Sequence, residues 1–393
     1  MPLNRRAFAG SVVASPFFFS GLAGELRGAE DFGEAVNKPA RILFNENPLG
    51  PSPKVIDALA ANPLQFSRYP LSESFALAMK LRKRIGLPFV EPSKELSLNA
   101  PELPPSDTDL VLGVGSSELL HAAVWSFVNG TGNVVEPYPS YAAVGRSAAA
   151  IPGAKIERRM IPLTDRNELD TSAMIEAIDE KTKIVVVCNP NNPTGSVIPL
   201  DRVAEICEAT PPGALVLVDE AYIEFVENAE KVSALSLAMT KANVLVTRTF
   251  SKIYGLAGLR LGYGIGSTGL INKLKPHMLG RLSMNMPAIL AANAALDDDS
   301  HVQKTLELTR EVQESWNKTF PEFGYRMTPS ITCFGWVDLG FDCTPLVKFL
   351  AEERGVLISG GQRWELPNCV RISIGTLEEN DRLLSGIRAF HAA

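Results

Sequence analysis

Three polar residues of unlike chemistry each follow a short apolar run: Asn192 after KIVVVCNPN begins, Asp219 at the end of ALVLVD, and Lys252 after NVLVTRTFS begins. They stand 27 and 33 residues apart, about one strand plus one helix each. In a layered α/β chain that spacing sets them side by side at one sheet edge. An amide, a carboxylate and a primary amine gathered away from water can serve a single ligand. The amine can form an imine with an aldehyde, the carboxylate can keep a ring nitrogen protonated, and the amide can donate to a phenolic oxygen. Pyridoxal 5'-phosphate offers all three partners.

The phosphate end has its own candidates. VGVGSSELLHAAVW reads as strand, glycine turn and a helix opening at Ser116 and Ser117. The free N–H groups and positive dipole end of such a helix suit a phosphate, although a serine there is by itself more often an N-cap. Arg260, eight residues after Lys252, can close the same anion site with the hydroxyls of Thr249 and Ser251. Gly255, Gly258, Gly262 and Gly264 would let the backbone turn tightly around it.

The elements that must position these residues alternate. DLVLGVG, NVVEPY, KIVVVCNP, ALVLVDEAY and NVLVTRTFS are nearly continuous apolar strands of the kind buried on both faces, and stretches with helical periodicity separate them. This predicts an α/β fold with a large domain: a mostly parallel sheet covered by helices, over residues 75–290. A long helical stretch from about Pro287 to Phe320 leads into SITCFGWVDL, GVLIS and CVRISIG as strands, with PLVKFLAEERG and LEENDRLLSGIRAFHAA as helices. Residues 31–74 and 291–393 are therefore expected to form a smaller α+β domain.

The chain has 393 residues, 46% of them hydrophobic and 21% charged, with a net charge of −6. That length exceeds one compact core, and no basic run is long enough for a nucleic-acid footprint. Five scattered cysteines with no C-x-x-C pair indicate neither zinc nor disulfides. His121 reads as a packing residue on an apolar helix face. Neither GVGSSE nor GYGIG is the G-x-G-x-x-G of a dinucleotide binder, and no basic helix-turn-helix accompanies the chain to make it a regulatory protein. Residues 1–30 are signal-like: Arg5, Arg6 and Phe8 precede an apolar run, resembling a twin-arginine export signal. The protein is thus expected to be periplasmic or exported, or cytoplasmic if that segment is not a signal. No segment elsewhere has the length of apolar sequence a membrane span needs.

NENPLGPSPKV, RYP, GSSELL, PYPSY, CNPNNPTG, VDEAYIEF, TFSKIYGLAGLRLGY and VRISIG follow one another between residues 45 and 375. This set resembles the fold-type I, aspartate-aminotransferase-like pyridoxal-phosphate enzymes, and within them the histidinol-phosphate aminotransferase family. The resemblance implies an aminotransferase acting between an amino acid, or histidinol phosphate, and a 2-oxo acid. It implies Lys252 as Schiff-base lysine and proton carrier, Asp219 on the pyridine nitrogen, Tyr222 and Asn192 on the phenolic oxygen, and Tyr141 stacked on the ring. Ser116, Ser117, Thr249, Ser251 and Arg260 would hold the phosphate, and Tyr69 would reach it from the partner of a homodimer. Arg371 would grip the substrate's α-carboxylate, and Asn47 would lie on the substrate side.

Departures fall on that substrate side. The arginine that family members place after the strand reading GVLIS is absent, SGGQRW standing there with Arg363 displaced. Cys333 replaces an asparagine, and Ser117 stands where Asp or Asn is common. Because the cofactor stabilises whichever carbanion forms, a racemase, lyase, decarboxylase or amino-acid oxidase is the alternative on the same scaffold.

Overall fold

The computed structural model describes residues 39–91 and 106–392, so the signal-like segment lies outside the described residues. Strand β1 (Ala40–Arg41) belongs to the smaller part of the molecule. The large sheet is built from β2 (Thr108–Gly113), β3 (Thr131–Tyr138), β4 (Lys155–Pro162), β5 (Thr182–Cys188), β6 (Leu215–Asp219), β7 (Val244–Thr249) and β8 (Gly262–Ser267). Their order across the sheet is β2-β8-β7-β6-β5-β3-β4. From β7 to β4 every pairing is parallel, whereas β8 runs antiparallel to both β2 and β7.

The expected strands form because their residues are apolar on both faces. Val185, Val187, Val216, Val218 and Val246 enter one core, while Ile184, Val186, Leu215, Leu217 and Leu245 enter the other. Alternate residues of a strand point to opposite faces, so only a continuous apolar run can serve two cores. Each such side chain contributes about 1.5–3 kcal/mol by leaving water. The helix Ser116–Phe127 turns Leu120, Ala123, Val124 and Phe127 to the second core. His121, expected on that face, is exposed instead, and its Nε2 accepts a hydrogen bond of 2.7 Å from Trp125 Nε1. The inward stripe is already filled, which leaves the 121/125 pair on the outer face.

Two strands were not legible. β4 is a sheet edge that mixes Lys155, Glu157, Arg158 and Arg159 with half-buried apolar residues, a charged pattern that protects an edge but hides a strand. β8 carries three glycines, at 262, 264 and 266, of which Gly262 and Gly264 read as turns in the sequence. A Cβ on Gly264 would lie 3.3 Å from Leu119 Cδ2, and one on Gly266 would lie 3.0 Å from Leu270 Cδ2. Close helix packing, not bending, accounts for Gly264 and Gly266.

The expected long helix is two, Met286–Ala295 and Asp299–Thr319. At the break Asp298 has φ −123° and ψ 64°, and its Oδ1 accepts from Ser300 Oγ at 2.7 Å. An aspartate that bonds its own neighbours competes with helix continuation. Beyond it lie β9 (Arg326–Met327), β10 (Phe334–Asp338), β11 (Val356–Leu357), β12 (Ser359–Gly360) and β13 (Cys369–Ser373). The order β12-β13-β10-β9 is antiparallel throughout, and β1 pairs parallel with β11. Just after Lys38, β1 pairs with β11 of this smaller part, and helix Pro53–Ala61 packs on Met286–Ala295. Cys188, Cys207, Cys333 and Cys343 are buried, and no cysteine is disulfide-bonded.

Candidate active site

β5, β6 and β7 are neighbours, so the segments after them deliver Asn192, Asp219 and Lys252 to one edge of the sheet. These three line a cavity of about 310 Å³ together with Tyr222, Tyr141, Ser116, Ser117, Thr249, Ser251, Arg260 and Arg371. Asp219 is 5% exposed, and its Oδ1 accepts from Thr247 Oγ1 at 3.3 Å. Burial raises its carboxyl to about 6, against the opposing pull of Thr247, the Ala221 N–H and the Lys252 charge. Burial likewise lowers the Lys252 ammonium, and the Arg371 and Arg260 charges push the same way. Lys252 Nζ donates to the Phe44 carbonyl at 3.3 Å and stands 5.7 Å from the centre of the Tyr222 ring.

The Tyr222 hydroxyl accepts from Asn45 Nδ2 at 2.9 Å and from Asn192 Nδ2 at 3.4 Å. Its ring meets Phe334 edge-on, and burial holds its phenol well above the ordinary value. Asn192 Oδ1 in turn accepts from Arg371 Nη1 at 2.8 Å, and Arg371 Nη2 donates to the Leu43 carbonyl at 2.6 Å. Hydrogen bonds therefore run from Arg371 through Asn192 to the Tyr222 phenol. Burial also raises the Tyr141 phenol, with the Asp219 charge adding to it and a hydrogen bond with Ser117 opposing.

The anion end is built from two loops. Gly115 has φ 72°, and the helix that follows it has no side-chain cap on its first N–H groups, while its first residues, Ser116 and Ser117, line the cavity. Glu118 stiffens the turn by accepting from the N–H of Val114 and of Leu279, each at 2.6 Å. On the facing loop Thr249 Oγ1 donates to Ser251 Oγ at 2.9 Å. Arg260, at φ 57°, donates from Nη1 to the Ala257 carbonyl at 2.8 Å and to Ser251 Oγ at 3.5 Å. A Cβ on Gly115 would stand 2.6 Å from Arg260 Nη2, and one on Gly262 would stand 2.8 Å from the Gly115 carbonyl carbon. The two glycines make room for a cradle of N–H groups, hydroxyls and one guanidinium. A phosphate fits that donor set, a protonated ring nitrogen fits Asp219, and an aldehyde carbon fits Lys252.

Two of the expected residues are not brought into the cavity. Tyr69 is 70% exposed and does not line the pocket of its own chain. Asn47 also lies off the lining: its Nδ2 donates to the Ile253 carbonyl at 2.8 Å and to Thr305 Oγ1 at 3.0 Å. It straps the loop after Lys252 to the N-terminal segment. Sequence reasoning missed Asn45, which lines the cavity at φ 55°; its N–H donates to Ser373 Oγ, whose hydroxyl donates back to Asn45 Oδ1, both at 2.8 Å. The available signal was an asparagine, a residue that tolerates the left-handed region, at the entrance to NPLGPSP. Ser140, Arg146 and Trp364 were missed as well, and Arg363 does line the cavity.

The family model for aminotransferase class I and II matches residues 44–387. The chain belongs to this family. As a class I and II aminotransferase it uses pyridoxal 5'-phosphate, for which the cavity has the donor set just described. It is 34% identical to the histidinol-phosphate aminotransferase of Geobacillus thermodenitrificans over 349 residues, 88% of either chain. A similar relative, also named histidinol-phosphate aminotransferase, comes from Brevibacillus brevis, 34% identical over 88% of this chain and 89% of that one. Among solved structures, histidinol-phosphate aminotransferase from Sinorhizobium meliloti in complex with pyridoxal-5'-phosphate superposes with a TM-score of 0.80. It is 25% identical, over 97% of this chain and 98% of that one. Among the described residues of the aminotransferase, no helix is long and apolar enough to cross a membrane.

Proposed function

We propose that this aminotransferase moves an amino group between an L-amino acid, or an amine such as histidinol phosphate, and a 2-oxo acid, with Lys252 as the residue that holds the cofactor and carries the α-proton. The observation that carries the reading is the row of Asn192, Asp219 and Lys252 past three adjacent strands, with Asp219 buried and within reach of the charge of Lys252. The cofactor, when bound, supplies an electron sink for charge developing at the substrate's α-carbon. Asp219 holds the ring nitrogen protonated: burial favours its neutral form, but a cation in direct contact reverses that preference. The burial that lowers Lys252 leaves more of its amine uncharged near neutral pH, as a base that takes a proton requires. Tyr222 and Asn192 donate to the phenolic oxygen and Tyr141 covers the ring face. Ser116, Ser117, Thr249, Ser251 and Arg260 bind the phosphate. Arg371 presents a planar fork to the α-carboxylate.

The relatives' names favour histidinol phosphate. Against it stands Ser359, paired across the sheet with Arg371 where the family would place a further arginine nearby. The test is a set of half-reactions: purified enzyme is mixed with single amino acids and histidinol phosphate, and the bound cofactor's absorbance is followed to its amine form. Transamination requires that form to accumulate until a 2-oxo acid is added. Keto acid without it, and with no acceptor required, would establish a lyase or oxidase instead.

The exposed apolar residues Leu64, Phe66, Tyr69, Leu279 and Leu282 support a homodimer in which Tyr69 reaches the partner's phosphate site. Sedimentation at a monomer mass would exclude it. Export through the twin-arginine route is proposed from Arg5, Arg6 and the apolar run after them, and cell fractionation of the full chain decides it.

A further inference from the structure

The cavity is lopsided in charge. Arg146, Lys252, Arg260, Arg363 and Arg371 line it against the single carboxylate of Asp219. In the function proposed above, on which this inference rests, Lys252 is spent on the cofactor, Asp219 faces the ring nitrogen and Arg260 faces the phosphate. Arg371 faces the α-carboxylate. Arg146 and Arg363 are left over.

Both are exposed residues, and the charge of Glu136 reaches Arg146 across the helix that carries it. Among the described residues the ion pairs include none formed by Arg146 or Arg363, whereas neighbouring Arg158 pairs with buried Glu136 at 2.7 Å. Arg146 projects from the short helix Ala143–Ala149, just after Tyr141 in the chain. Burial, with the charges of Arg158 and Arg363, holds its guanidinium below the ordinary value, so the two left-over cations feel one another. Arg363, also exposed, comes from a different element. It lies in the turn Gly361–Trp364, whose first residue could not carry a Cβ, since that atom would stand 2.5 Å from the Cys369 carbonyl oxygen. Its guanidinium stacks 4.7 Å from the centre of the Trp364 ring. Trp364 is 6% exposed and braced edge-on by Trp336 at 5.3 Å. The same indole has the Arg371 guanidinium 5.4 Å from its centre. One rigid ring thus spaces the carboxylate fork from a second cation.

We infer that Arg146 and Arg363, spaced from Arg371 by Trp364, form a distal anion subsite, and that the preferred substrate carries a second anionic group, carboxylate or phosphate, at the end remote from its amine. An anion there relieves the mutual repulsion of two guanidiniums. A neutral side chain leaves it in place and is discriminated against for that reason.

The test compares anionic with neutral donors on the holoenzyme: L-glutamate against its near-isostere L-glutamine, and O-phospho-L-serine against L-serine. The expected result is a kcat/KM ratio of about tenfold or more in favour of the anionic member of at least one pair, the scale of one charged hydrogen bond. Arg146→Gln and Arg363→Gln should each reduce that ratio about tenfold. Preference in the first pair alone assigns the subsite to a carboxylate, and in the second alone to a phosphate. Ratios near one in both pairs, or ratios that neither variant moves, overturn the inference. Should no donor react, the transamination reading fails, and calorimetry with glutarate against butyrate then decides the subsite separately. Tighter glutarate binding that is lost in the variants supports it, and equal binding overturns it.

Discussion

Replacing Asp219 by asparagine should stabilise the cofactor-free protein while weakening its hold on the cofactor. Asp219 is 5% exposed and burial raises its carboxyl from the ordinary 3.8 to about 6. At about 1.36 kcal/mol per pH unit, that rise corresponds to about 3 kcal/mol, to order of magnitude. Because the folded value lies above the unfolded one, the neutral carboxyl folds more favourably than the charged one. Its contribution is complete below about pH 4 and is lost as pH rises through about 6. An asparagine never acquires the charge, and its amide oxygen can still accept from Thr247. Denaturant unfolding of both cofactor-free proteins between about pH 4.5 and 8 isolates the effect, since the other titrating groups cancel in the difference. The asparagine variant should gain stability progressively through that range and level off near pH 7. In parallel, cofactor titration should show weaker binding and proton abstraction slowed by about 10² or more, the scale of losing a preorganised charge partner. A stability difference that is absent, negative or flat with pH would refute the reasoning. A near-normal rate would remove Asp219 from the chemistry.

Lys252→Ala should abolish the borohydride-reducible adduct with the cofactor, and mass spectrometry finding it at wild-type stoichiometry would contradict the assignment. Arg371→Ala should cost about 2–5 kcal/mol of substrate binding, as for truncating one partner of a buried charge pair; the check is KM across a panel of amino acids, none of which should be unchanged. Gly262→Ala forces a methyl group against the Gly115 and Arg248 backbones, so cofactor affinity should fall about tenfold or more and stability by about 1–3 kcal/mol, read by cofactor titration and thermal unfolding.

Much of the cavity's lining could be read from sequence because those residues are tied to strand ends. β5, β6 and β7 announce themselves by apolar runs, and a parallel sheet then sets the residues just beyond them in one row. Asn45 could not be read that way: it reaches Tyr222 across 177 residues of chain, and no local periodicity reports such a contact. Arg146 was hidden among the small residues of AAVGRSAAA, where nothing local marks it as facing a cavity. Asn47 misled in the opposite sense, since its motif placed it near the site while its amide is committed to Ile253 and Thr305. β4 and β8 were illegible because an edge needs charge and a close-packed strand needs glycine, and either requirement erases the usual strand signature.

The reversed strand β8 has a consequence for assembly. Thr249 pairs with Gly262 across the β7–β8 ladder, so Ser251, Lys252 and Arg260 all sit on one loop whose ends the sheet ties together. Closing a short loop between antiparallel strands costs little entropy, whereas each parallel neighbour of β6 requires a full crossover. Ser251, Lys252 and Arg260 are thus the locally encoded part of the pocket. The carboxylate and the amide become its neighbours only once distant stretches of chain have found their places.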